Sequence, residues 1–238
     1  MRDAGNTTKE KEIDKMKVDL ISITQPIDEL ASSEPEELIA YCARVSNPEN
    51  QNNTQTAPRL LKFLIKHKHW SPFEMVDMTL QIKTSRAIAA QILRHRSFSF
   101  QEFSQRYSEA QVLEKLQIRK QAEKNRQSST DDFEDSDLLG RVREHIAKGL
   151  SLYQALVGAG AAKESARMIL PLTTETTLYM KGSIRSWVHY IELRTEQNTQ
   201  KEHRDIADEC KRIFVQRFPS VSEALWGIRH EDYRWKPS

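Results

Sequence analysis

Apolar and polar positions alternate most strictly over Val76-Asp77-Met78-Thr79-Leu80-Gln81-Ile82-Lys83. A period of two predicts an antiparallel strand with one face on a core and the other toward water. Thr173 to Lys181 repeats the pattern, with Thr174, Thr176, Leu178 and Met180 set against Glu175, Thr177 and Tyr179, and predicts a second long strand. A shorter β-type run covers Val18 to Ile23 and is closed by Pro26.

Helical spacing takes over elsewhere. Glu34-Pro35-Glu36-Glu37 opens a helix, with Pro near the first turn and acids at its positive end. Its apolar face carries Leu38, Ile39, Tyr41, Cys42 and Val45. After a polar loop from Asn47 to Thr56, Leu60, Leu61, Leu64 and Ile65 predict a helix over about 56–67. Thr84 or Ser85 can cap a third, running through Ile88, Ala89, Ile92 and Leu93. Further helices are predicted at Leu138–Val157, ended by Gly158-Ala159-Gly160, and at Lys163–Leu170, stopped by Pro171. Two more follow at Ser183–Leu193 and Gln200–Phe218, the latter with Pro219 as its stop. The elements mix without a βαβ cadence, which predicts an α+β fold. The expected unit is a single compact domain, residues 17–228, whose antiparallel or mixed β-sheet packs against helices. Residues 1–16 and 229–238 read as tails. Residues 109–137 are strongly polar and end in Asp131, Asp132, Glu134, Asp135 and Asp137. They read as an exposed insertion, helical at first and mobile after Arg126.

Composition narrows the picture little. The 238 residues are 38% hydrophobic and 29% charged with a net charge of +2, so no global field draws nucleic acid or a membrane. Any anion site must be local. Cys42 and Cys210 cannot form a disulfide framework; they suit a reducing cytosol and read as small buried hydrophobes. Met1 to Lys17 is charged and lacks the apolar region of a signal peptide, and no apolar run approaches ~18 residues. A cytoplasmic protein without a membrane partner is expected. His67 and His69 lack the companions a metal site needs, so no metal is expected.

The local charge lies in one segment. From Arg86 to Tyr107 four arginines and His95 face a single acid, Glu102. Arg94 and Arg96 beside Ser and Gln donors resemble forks for phosphate oxygens. Glu102 is then placed to accept from a ribose hydroxyl or to orient an arginine. Residues alone leave other readings open: a basic surface turn over a core of Phe98, Phe100 and Phe103, or a nucleic-acid-binding module without catalysis.

Arg94-His95-Arg96, seven residues, then Ser104 resembles the signature of the flavin-dependent thymidylate synthases. Four further blocks resemble that family in order: Ala43-Arg44-Val45-Ser46; His67-Lys68-His69-Trp70-Ser71-Pro72-Phe73-Glu74; Ala166-Arg167-Met168-Ile169-Leu170-Pro171; and Leu193-Arg194. The resemblance spans about residues 18–225. It implies methylation of deoxyuridylate (dUMP) to thymidylate (dTMP), with methylenetetrahydrofolate as carbon donor, FAD as cofactor and NADPH as reductant. It implies a homotetramer with active sites shared between subunits, and no enzyme cysteine nucleophile. Carried over, the dUMP pocket comprises Gln91, Arg94, Glu102, Phe103, Ser104, Gln105, Arg106, Arg167 and Arg194. FAD would meet Ser46, His69, Ser71, Arg94, His95, Arg96, Glu102, Ser183, Arg185 and His189, with Ser46, His69 and Ser71 contributed by a neighbouring subunit. Arg194 is the implied catalytic residue, its charge favouring the N3-deprotonated uracil. Gln101, Ser183, His189 and Asn198 depart from the residues common in the family, while Gln200 and Glu202 fit.

Overall fold

The computed structural model describes residues 17–27, 34–106, 116–126, 128–229 and 231. The two alternating runs are its central strands: β2 (Asp77–Ser85) and β6 (Glu175–Ser183). They pair antiparallel along their whole length, from Asp77 opposite Ser183 to Ser85 opposite Glu175. The register sets Leu80 against Met180 and Ile82 against Leu178, so the apolar sets share one face. All four are fully buried, each contributing roughly 1.5–3 kcal/mol. The edge strands are β1 (Lys17–Ile23), beside β2, and β3 (Ser99–Glu102), beside β6, giving an antiparallel sheet of order β1-β2-β6-β3. An irregularity between Leu20 and Ser22 resets the register of β1, leaving Ile21 half exposed.

The helices are α1 (Pro35–Ala43), α2 (Ala57–Lys66), α3 (Arg86–Ile92), α4 (Ser136–Gly158), α5 (Lys163–Ala166), α6 (Ile184–Arg194), α7 (Lys201–Arg217) and α8 (Pro219–Trp226). α6 and α7 lay Trp187, Tyr190, Ile191, Ile206, Cys210 and Phe214 into the core that includes Met78, Leu80 and Ile82. α4 belongs to a separate small cluster around Tyr153, with Ala166 of α5. The α+β architecture thus stands, with a wholly antiparallel main sheet.

Several local expectations need correction. α1 starts at Pro35 as expected, with a capping box between Glu34 and Glu37, yet Val45 is 70% exposed. Glu36 is buried instead, because its carboxylate accepts from the backbone N–H of Ser220 and Val221 and so caps α8. Ser85 occupies the N-cap position of α3 without a side-chain cap bond. The carbonyls of Thr174 and Leu172 take the N–H groups of Arg86 and Ala87 instead. Pro219 does not merely stop α7; it starts α8, where a first-turn Pro loses no hydrogen bond. The Lys163–Leu170 helix is α5 followed by a tighter turn over Arg167–Ile169. Phe103 is 39% exposed rather than core, and Cys42 is only half buried.

Part of the polar insertion has regular structure. Strands β4 (Arg119–Gln121) and β5 (Ser129–Asp132) form an antiparallel hairpin. Arg119 ties it to α7 through an ion pair with Glu202 at 2.7 Å. The helix expected at its start falls on residues outside those described.

Candidate active site

β2 and β6 run in opposite directions and each passes directly into a helix, so α3 and α6 start from opposite ends of the sheet. Their C-terminal ends meet. Arg194, the last residue of α6, donates from Nε to His95 Nε2 at 2.9 Å, just beyond the end of α3. Helix C-termini carry partial negative charge, so this is a favourable place to gather Arg94, Arg96 and Arg194. The triplet splits in the turn: Arg94 and Arg96 are exposed, whereas His95 packs inward with its ring edge-on to Tyr190, centroids 4.9 Å apart.

An imidazole that accepts from a guanidinium must be neutral, with its proton on Nδ1. Burial, then the charge of Arg194, then His189 lower the pKa of His95 to about 4. His203 on α7 is a second neutral imidazole, buried completely. Its Nδ1 lies 3.3 Å from Gln91 Oε1 and its Nε2 3.2 Å from the Tyr190 hydroxyl. The arrangement assigns Nδ1 as donor to Gln91 and Nε2 as acceptor from Tyr190. Burial, then Arg194, then His95 lower its pKa to about 3. Desolvation also raises the Tyr190 phenol well above its ordinary value. Arg194 therefore faces two uncharged rings that leave its charge for a ligand.

Gln91 continues outward, donating to Gln200 at 2.7 Å, and Gln200 donates to Glu202 at 3.0 Å. Glu102 accepts from Arg86 at 3.2 Å and from Thr176 at 2.9 Å, so it orients an arginine. Arg106 and Arg167 both meet Glu164, the first at the carboxylate (3.2 Å) and the second at the carbonyl (3.4 Å). Gln105, next to Arg106 in the chain, is buried, with an amide Nε2 that has no partner. Ser104 is half buried beside it.

A cavity of about 480 Å³ opens on the other side of the same turn. Trp70, Ser97, Arg185, Val188 and His189 are among its lining residues. Ser183 sits beneath it as the N-cap of α6, donating to Glu74 at 2.7 Å, and Glu74 also pairs with Arg185 at 3.0 Å. Ser46, His69 and Ser71 are exposed, and among the described residues no hydrogen bond, ion pair or ring contact joins them to the Arg194 cluster. Arg44 is buried and holds the 47–56 loop through the Asn53 carbonyl and Thr56. Among the described residues no group of His, Cys, Asp or Glu is arranged for a metal, and no helix is long and apolar enough to cross a membrane.

The sequence pointed to Gln91, His95 and Arg194, and to Arg86 only as part of the basic segment, but not to Tyr190, His203 or Arg119. A lone histidine on an apolar helix face has no distinguishing signal until its partners are in place.

Fold and site together gather cations from several elements around a pair of neutral imidazoles, an arrangement suited in charge to anionic ligands. The family model described as "Thymidylate synthase complementing protein" matches residues 29–220. A probable flavin-dependent thymidylate synthase of Paramecium bursaria Chlorella virus 1 is 55% identical over 216 residues, covering 88% of this chain and 99% of the relative. A flavin-dependent thymidylate synthase of Synechocystis sp. has the same identity and coverage. The fold is shared with a UMP/dUMP methylase, PolB from Streptomyces cacaoi (TM-score 0.77, 22% identity, covering 91% of this chain and 97% of the other). The chain belongs to the flavin-dependent thymidylate synthase family.

Proposed function

We propose that this protein methylates dUMP to dTMP, with methylenetetrahydrofolate supplying the carbon and NADPH the electrons through FAD. The observation that carries the reading is the Arg194 guanidinium held by neutral His95. Set against the uracil edge, that charge favours ionisation at N3 and pushes electron density into the ring. No cysteine is suited to activate the ring instead. Cys210 is fully buried and burial pushes its thiol far above the ordinary range; Cys42 is also raised by burial. Arg106 and Arg167, converging at Glu164, are the phosphate partners, and Gln91, Glu102, Phe103, Ser104 and Gln105 line the nucleotide pocket.

The cavity beside Trp70 suits the ring of a flavin in kind, with an apolar wall from Trp70 and Val188 and His189 as a polar contact; Glu74 and Glu192 also line it, so Arg185 would turn from Glu74 to meet a phosphate. Arg94 and Arg96 stand on the turn that supplies Ser97. FAD bound there would supply two-electron redox chemistry. Ser46, His69 and Ser71, unbonded to this chain's Arg194 cluster, would serve a neighbouring subunit. Exposed Leu152, Met168, Ile169 and Leu172 supply apolar surface for the homotetramer.

The test is to purify the protein, record its flavin spectrum and assay dTMP formation from dUMP, methylenetetrahydrofolate and NADPH. Bound flavin and turnover are expected, with turnover falling about 10²–10³-fold in Arg194→Ala. A colourless, inactive protein refutes the activity; full turnover in Arg194→Ala refutes the role of the guanidinium.

A further inference from the structure

The β4–β5 hairpin and the turn between α6 and α7 enclose a separate cavity of about 340 Å³. Arg119 and Arg126 reach it from the hairpin, Lys201 and Arg204 from the start of α7, with Ser129 and Gln200 between them. No Asp or Glu is among its described lining residues. Glu202 and Asp205 stand behind, pairing with Arg119 (2.7 Å) and Lys201 (2.8 Å). Among the described residues no carboxylate lies within ion-pair distance of Arg126 or Arg204, so positive charge is left over in the cavity.

Arg119 is the built part. Its side chain is only 10% exposed. Nη2 is held by Glu202 and Nε donates to Ser129 Oγ at 2.9 Å, while Nη1 is buried without a partner. A buried donor left unmatched costs about 1–3 kcal/mol, and more when charged. Arg204 is fixed by donation to the Gln197 carbonyl at 3.1 Å. The first turn of α7 adds backbone N–H groups, and its N-cap residue Gln200 makes no side-chain cap bond. Fixed guanidinium forks, an unmatched donor and a helix N-terminus together call for an oxyanion with several oxygens.

We propose that this cavity binds a multiply charged oxyanionic tail of a co-substrate. Gln200 lines it and hydrogen-bonds Gln91, so it adjoins the Arg194 cluster. Two sources share the chemistry: the γ-glutamyl carboxylates of the folate and the phosphates of the nicotinamide nucleotide. The nucleotide's own phosphate already has Arg106 and Arg167. The identity of the ligand rests on the thymidylate synthase reading; the existence of an oxyanion site does not.

The experiment uses the full FAD-loaded protein and the variants Arg126→Ala, Arg204→Ala and the double, with circular dichroism to check the fold. γ-Linked triglutamate and inorganic phosphate are titrated by calorimetry at low salt. Michaelis constants are measured for triglutamyl and monoglutamyl methylenetetrahydrofolate and for NADPH. Saturable triglutamate binding is expected, weakened about tenfold per arginine removed, the equivalent of about 1.4 kcal/mol. The KM for triglutamyl folate should rise in step, while that for the monoglutamyl form stays within about twofold. A rise confined to NADPH, with phosphate binding lost, upholds the oxyanion site and assigns it to the reductant. Absence of binding by both probes, or binding equal in parent and double variant, overturns the proposal. If the protein binds the probes but makes no dTMP, the oxyanion site stands and the thymidylate synthase reading fails.

Discussion

Replacing His203 with Gln tests the claim that the imidazoles behind Arg194 are neutral. His203 is fully buried and its pKa is about 3, against 6.5 for the free side chain. The unfolded chain takes up a proton below about pH 6.5, and the folded protein does not until about pH 3. The unfolded state therefore binds more protons across that window. Stability is full above about pH 6.5 and falls as the pH drops toward the folded value. At about pH 5 the two values give a loss of roughly 2 kcal/mol from His203 alone. Gln at 203 keeps a donor for Gln91 and an acceptor for Tyr190 but does not titrate. Urea unfolding at about pH 7 and pH 5 should show the parent losing about 2 kcal/mol more than His203→Gln between the two conditions. Subtracting within each protein cancels any packing cost of the substitution. Parallel losses would refute the reasoning, since they would mean that His203 holds its proton in the fold or is already solvated.

The other expectations follow from the same contacts. Arg194→Gln removes the charge that lowers both rings, so NMR titration should show the pKa values of His95 and His203 shifted up; unchanged values would mean the guanidinium is screened from them. A Cβ at Gly182 would lie 2.5 Å from the Phe98 ring, so Gly182→Ala should cost about 1–3 kcal/mol by urea unfolding, with part recovered by adding Phe98→Leu. Glu36→Ala removes the cap of α8 and should cost roughly 1–2 kcal/mol, with Glu36→Gln costing less because an amide oxygen still accepts.

The strict alternation at 76–83 and 173–181 determined β2 and β6, because a period of two leaves only one face to bury. Glu34-Pro35 likewise determined the start of α1. β3 was not legible: Ser99 to Glu102 is too short for its alternation to stand out, and only its pairing with β6 defines it. The β4–β5 hairpin was hidden for a similar reason. Its strand residues are all polar, and it is held by Arg119 reaching Glu202, far away in sequence. At the site, the sequence identified Arg94, His95, Arg96 and Arg194 as a family pattern. It also brought Arg194 forward as the activating residue, through resemblance rather than physics. What only tertiary structure decided is the division of labour within the triplet. Antiparallel strands launch α3 and α6 from opposite ends, so their C-termini meet and His95 turns inward to accept from Arg194. Arg94 and Arg96 are left outside. Neutrality of the two imidazoles depends on burial and on a neighbouring charge, neither of which a linear pattern contains.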